Sequence, residues 1–215
     1  MIIAWREFLT SRYNKSLVAL SFLAMALVLL LFASFLSWNE SRNGYRFNDP
    51  VLNAFRPLDI SLITFILTYL TGFTGLLIAV PKPELFLRFI QAYILLTLMR
   101  IVTIYFIPLD PPESIIPLKD IFLRTSFYSG RDNVRDLFFS GHTATIFLFA
   151  FGFKKQILKF SFALGAVLIA ALLVLQHVHF SIDVIFAPFF AWLALWIQQR
   201  IFPESKSLYL PHPQK

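Results

Sequence analysis

Long apolar runs separated by short polar breaks dominate the chain. Runs near 20 residues, the length a helix needs to cross a bilayer core of roughly 30 Å, fall at 17–38, 59–80, 85–108, 137–153, 160–178 and 182–202. The pattern predicts an all-α, polytopic membrane protein with six transmembrane helices in one bundle (17–202), flanked by an N-terminal segment (1–16) and a C-terminal tail (203–215). The first run is too long for a signal-peptide core, and no small-x-small cleavage site follows before Trp38-Asn39-Glu40, so it is expected to remain as a span. The fourth run is short and reads as a helix that begins at the surface of a site. Pro81-Lys82-Pro83 and Phe153-Lys154-Lys155 predict tight turns, whereas 39–58 and 109–136 predict longer loops on the opposite side. No internal repeat is visible, and the end of the tail, Tyr209–Lys215 with two prolines, is expected to be loose.

Basic residues sort by side. Arg6, Arg12, Lys15, Lys82, Arg88, Lys154, Lys155, Lys159, Arg200, Lys206 and Lys215 gather on one face against only Glu7, Glu84 and Glu204. Arg42, Arg46, Arg56, Lys119, Arg124, Arg131 and Arg135 on the other face are balanced by Glu40, Asp49, Asp59, Asp110, Glu113, Asp120, Asp132 and Asp136. The positive-inside rule makes the first face cytoplasmic, with both termini in it. The economy of the chain has a bacterial look, which would put it in an inner membrane.

Composition narrows the class. The chain is 58% hydrophobic and 14% charged, with 26 Phe, more apolar surface than a soluble domain of this length can hide. The net charge of +7 is accounted for by topology, so nucleic acid is not an expected partner. With no cysteine there is no disulfide framework, thiolate metal site or cysteine nucleophile.

The chemistry-bearing residues lie where apolar spans meet polar segments. Ser140-Gly141-His142 stands at the outer start of the fourth run, and His179-Phe180-Ser181-Ile182-Asp183 at the outer junction of the last two. An Asp within an apolar span costs ~2.5–3.5 kcal/mol on insertion scales and is a functional candidate for that reason. Four residues separate His179 from Asp183, which puts them on one face of a helix. A carboxylate bound to one ring nitrogen fixes the tautomer and leaves the other lone pair free to attack phosphorus. His142 then suits general acid–base work on the leaving and entering alcohols. Ser140 can cap its helix, with the Gly141 and His142 amides directed at a phosphate.

Arg100 lies inside the third run and keeps its charge at any working pH. Two partners are open to it: a substrate phosphate, or a structural ion pair with Asp183 or Asp136. Thr103 and Tyr105 could add hydroxyls nearby. His177 would face away from His179 on a continuous helix, and a His177/His179/Asp183 metal site is the alternative to the nucleophile reading. His212, in the tail, is expected to be inert.

Asp136-Leu137-Phe138-Phe139-Ser140-Gly141-His142-Thr143 resembles the Asp-x-x-x-Ser-Gly-His-Thr block of the sphingomyelin synthase-like proteins, a branch of the type 2 phosphatidic acid phosphatase (PAP2) superfamily. His179-Phe180-Ser181-Ile182-Asp183-Val184 resembles their His-Tyr-Thr-x-Asp-Val block. Arg100-Ile101-Val102-Thr103-Ile104-Tyr105, with the prolines that follow, resembles their Arg-x-x-Thr-x-Tyr segment. The resemblance spans roughly 59–202. It implies a six-helix bundle, His179 as a nucleophile held by Asp183, His142 as acid–base, and lipid phosphodiester or phosphomonoester substrates. The wider phosphatases carry an Arg six residues before the nucleophile. Leu173 stands there, which favours the synthase-like branch. Val178 replaces an acidic residue between the paired histidines, and Val134-Arg135 replaces Cys-Gly. Arg135 points to a more anionic headgroup than choline.

The sequence thus predicts a membrane lipid phosphotransferase with phospholipid and lipid-alcohol substrates and no cofactor or metal. Catalysis is expected from His142, His179 and Asp183. Arg100, Tyr105, Arg135, Asp136, Ser140 and Gly141 are expected to hold the phosphate or substrate. A lipid phosphate phosphatase using water is the alternative. A transporter would call for inverted repeats or broken helices, and a rhomboid-like protease for Gly-x-Ser; neither pattern is present.

Overall fold

The computed structural model describes residues 1–118 and 133–202. Among them are seven α-helices: α1 (Ile2–Phe8), α2 (Arg12–Asn39), α3 (Ser61–Ala79), α4 (Pro83–Phe106), α5 (Gly141–Gly152), α6 (Gln156–Leu175) and α7 (Ser181–Ile201). Helices α2, α3, α4, α6 and α7 are long and apolar enough to cross a membrane. They account for five of the six expected spans. The fourth expected span divides instead into an extended entry and α5, whose 12 residues rise only ~18 Å, well short of the ~30 Å core. Its start is set by Ser140, whose Oγ accepts from the Thr143 amide at 3.4 Å, an N-cap that holds the preceding residues out of the helix.

The apolar character of α5 has a different origin from that of its neighbours. It is packed by α4, α6, α7 and α3, and Thr143, Ala144, Ile146, Leu148, Phe149 and Ala150 are all buried. A helix apolar on every side is a core helix. Phe89, Phe149, Phe153 and Phe162 form its aromatic packing against α4 and α6, with Phe89 edge-on to Phe149 at 4.8 Å. On the other side Ala92, Ala144, Ala187, Ala191 and Ala194 let α4, α5 and α7 approach closely, the usual solution for helix contacts in lipid. By contrast α2 and α3 turn Leu20, Leu27, Leu30, Leu62, Ile66 and Phe73 outward. An exposed apolar surface of that extent suits acyl chains and not water. The molecule is therefore built as a multi-pass membrane protein.

Three polar residues inside the bundle are paired with one another. Gln91 Nε2 donates to Ser21 Oγ at 3.0 Å, and Gln198 Nε2 donates to Gln91 Oε1 at 2.9 Å. This buried chain ties α2, α4 and α7 together.

The connections after α2 and α4 are bound to each other. The Tyr45 amide donates to Pro108 O at 2.8 Å and the Asp110 amide to Tyr45 O at 3.0 Å. The contact needs Gly44, where a Cβ would fall 2.5 Å from the Asp110 nitrogen. Lys119, Asp120, Arg124, Arg131 and Asp132, together with Glu204, Lys206, His212, Lys215 and the rest of the tail, lie outside the described residues.

Candidate active site

The turn from α6 to α7 presents His179. Helix α6 closes in a Schellman arrangement: the Val178 amide donates to Leu173 O and the His177 amide to Val174 O, each at 2.9 Å. His177 therefore takes the left-handed position, φ 57°, that glycine usually fills. Phe180 is the N-cap of α7, with extended backbone. His179 thus precedes the helix rather than riding on it, and the expected pairing along one helical face is reached differently. Asp183, the third residue of α7, folds back over the helix start. Its Oδ2 accepts from the Phe180 amide at 3.1 Å and lies 3.1 Å from His179 Nδ1. With its proton on Nδ1 the ring donates to the carboxylate, and Nε2 keeps its lone pair. Both side chains are almost completely buried.

The second motif meets the first through the backbone: the Ser140 amide donates to Asp183 O at 3.1 Å. The starts of α5 and α7 are thereby held side by side. His142, on the first turn of α5, is half-buried and lines a cavity of about 520 Å³ between α2, α3, α4 and α5. Arg100, Asp136, Gly141 and His142 form its polar end, and Met25, Leu29, Phe73, Leu76 and Phe89 line its apolar body. His179 and Asp183 are not part of this wall. Asp183 is joined instead to Ser140, the neighbour of the lining residue Gly141.

Arg100 pairs with Asp136, and its guanidinium lies 4.8 Å from the centre of the Phe32 ring. Asp136 is one of the partners open to it in the sequence. Thr103 Oγ1 donates toward both Arg100 O and Phe138 O at 3.1 Å, fixing the extended entry to α5 against α4. Gly141 passes so close to Arg100 that a Cβ there would overlap the guanidinium.

Two expected phosphate-holding residues are turned elsewhere. Arg135 bonds Asp110 Oδ1 at 3.0 Å, its amide donates to Glu40 Oε2 at 3.2 Å, and its carbonyl accepts from Asn39 Nδ2 at 2.9 Å. Two loop carboxylates and a helix end occupy it. Tyr105 is exposed. Its ring stacks on Trp38 at 6.1 Å, and Arg42 lies over both rings. Neither lines the cavity. His177 bonds Ser114 Oγ through Nδ1 at 2.6 Å and packs edge-on against Phe55 at 5.1 Å. Among the described residues no group of three His, Asp or Glu is placed to hold a metal ion.

Asp49 is the residue sequence reasoning passed over. It is buried, yet its Oδ1 accepts from the Val51 and Leu52 amides at 2.9 and 3.4 Å, and its Oδ2 from the Ser181 amide at 2.6 Å. Asp49-Pro50 does signal a local turn, but nothing in the sequence points from there to α7.

The fold and site define a multi-pass helical membrane protein with a buried His–Asp pair beside a polar-ended apolar cavity. Residues 135–200 match the family model described as PAP2 superfamily, C-terminal. The matched segment is less than a third of the chain, but it contains Asp136, Ser140, His142, His179 and Asp183. It supports a PAP2-related origin and an enzyme acting on phosphate esters. No curated protein matches the chain.

Proposed function

We propose that this protein transfers a phospho-headgroup from a phospholipid to a lipid alcohol, of ceramide or diacylglycerol type, through a phosphohistidine. The observation that carries the reading is the joining of the buried His179–Asp183 pair, through Ser140, to the helix start that holds His142 at the polar end of an apolar cavity.

In the first half-reaction His179 Nε2 attacks phosphorus, the bond from phosphorus to the glyceride oxygen breaks, and His142 gives its proton to that oxygen. Asp183 accepts the Nδ1 proton and stabilises the cationic ring. In the second half-reaction the acceptor hydroxyl attacks phosphorus, its proton passes to His142, and the N–P bond breaks. Arg100 and the amides at the start of α5 offset phosphate charge. Asp136 pairs with Arg100, and substrate phosphate shares or takes that place. The apolar walls support an acyl-chain site that keeps water from the acceptor position.

Hydrolysis is the second reading, and the match to the PAP2 superfamily model is compatible with either. Purified protein incubated with ³²P-labelled phospholipid, with and without ceramide or diacylglycerol, separates the two. A labelled lipid formed only when alcohol is present supports transfer. Release of water-soluble phosphate regardless of alcohol supports hydrolysis.

A further inference from the structure

Helix α7 is capped from within only by Asp183, which accepts from the Phe180 amide. Its N-cap, Phe180, has no side-chain acceptor, and Asp183, which faces the first turn, is already shared between the Phe180 amide and His179. The Ser181 amide, one of the orphan donors that every helix start leaves, is bonded from outside the helix. Its partner is Asp49, 132 residues earlier. Asp49 is held in turn by the Val51 and Leu52 amides, which open a short 3₁₀ turn (Leu52–Ala54). The same segment packs on the same helix start: Phe47 lies edge-on to Phe180 at 5.3 Å, and Leu52 joins Phe180 and Leu137 in a buried cluster.

We infer that Asp49 is a positioning residue for the phosphoryl-transfer site, capping α7 from the α2–α3 connection and so fixing where the turn holds His179 against Asp183. The inference rests on the function proposed above. No residue of the helix caps the Ser181 amide: a Phe at the N-cap cannot accept, and Asp183 Oδ2 is taken by the Phe180 amide and His179. Burial pushes the Asp49 carboxyl up, but the Ser181 amide and hydroxyl and the Val51 and Leu52 amides outweigh it and hold it below its ordinary 3.8. The cap therefore stays ionised across the neutral range. Asp49 never reaches the cavity wall, so its effect passes through the helix start.

The Ser181 amide can be removed without disturbing the helix. Proline is favoured at the first helical position, and Phe180, at φ −67° and ψ 155°, already has the backbone that a residue before proline requires. Full-length wild type, Asp49→Asn, Ser181→Pro and the double variant in nanodiscs are compared by amide hydrogen exchange over 176–184 and by kcat and KM on ³²P-labelled phospholipid. Each single variant should raise exchange in that segment. Each should lower kcat about tenfold with KM held within about twofold, the mark of misplaced chemistry rather than lost binding. The double variant should be no worse than the worse single, because both act on the same contact between Asp49 and Ser181. Unchanged exchange in Asp49→Asn, a loss confined to KM, or multiplied effects in the double variant would overturn the inference. If wild type turns over no phospholipid, the proposed function fails, while the exchange data still decide whether Asp49 holds the turn.

Discussion

Gly141 and Arg100 occupy one space: the guanidinium of α4 lies where a side chain on the first residue of α5 would begin. Only a glycine at that helix start lets the cation reach the polar end of the cavity, beside His142 and Asp136. Gly141→Ala should leave the helix intact, since alanine is the better helix former by about 1 kcal/mol. It should displace Arg100 and cut kcat/KM by roughly ten- to a hundredfold. Steady-state kinetics beside a thermal melt in detergent checks both halves.

The Arg100–Asp136 pair predicts a separation of activity from stability. Arg100→Lys keeps the charge and loses the planar fork. Turnover should fall by roughly one to three orders of magnitude, with little change in melting temperature. Arg100→Ala leaves a largely buried carboxylate without its partner and should express poorly. Adding Asp136→Asn should restore part of the yield without restoring turnover.

Much of this was legible in the chain. The long helices were, because the bilayer demands about 20 apolar residues and little else produces such runs. α5 was not, because core-facing and lipid-facing residues are equally apolar, so 137–153 read as one span. Its start was visible only through Ser140. The pairing of His179 with Asp183 followed from spacing even though the geometry is a turn, since an acid three residues into a helix returns to the helix start. The left-handed His177 was hidden: no glycine marks that position. Arg135 and Tyr105 have the chemistry to hold a phosphate, but loop packing against Glu40, Asp110, Trp38 and Arg42 decides their direction. Asp49 was one acid among many until the fold brought it to Ser181.

His177 supplies a pH dependence of stability. Burial pushes its imidazole below the ordinary 6.5, with Asp49 pulling more weakly upward. The unfolded chain therefore takes the proton first, so stability is full above 6.5 and is lost as pH falls through the lower folded value. Melting temperatures between about pH 7.5 and 5 should decline below that point in wild type. His177→Asn, which tolerates the left-handed backbone, should flatten the decline relative to wild type.

The charge count predicts a sidedness that labelling can test. In this cysteine-free chain, Glu113→Cys, at an exposed position of the outer connection, should react with an impermeant maleimide in intact cells. Gln156→Cys, at the first residue of α6, should react only after permeabilisation. The opposite pattern would move the site to the cytoplasmic leaflet.

The most direct measurement asks where the phosphoryl group rests between donor and acceptor. Protein incubated with ³²P-labelled phospholipid and no alcohol, then quenched in alkali, should carry acid-labile label on the peptide containing His179. The label should be absent in His179→Ala. In His142→Ala it should form slowly and be discharged slowly when alcohol is added. Full turnover in His179→Ala, or label on another residue with His179 unmodified, would contradict the phosphohistidine account.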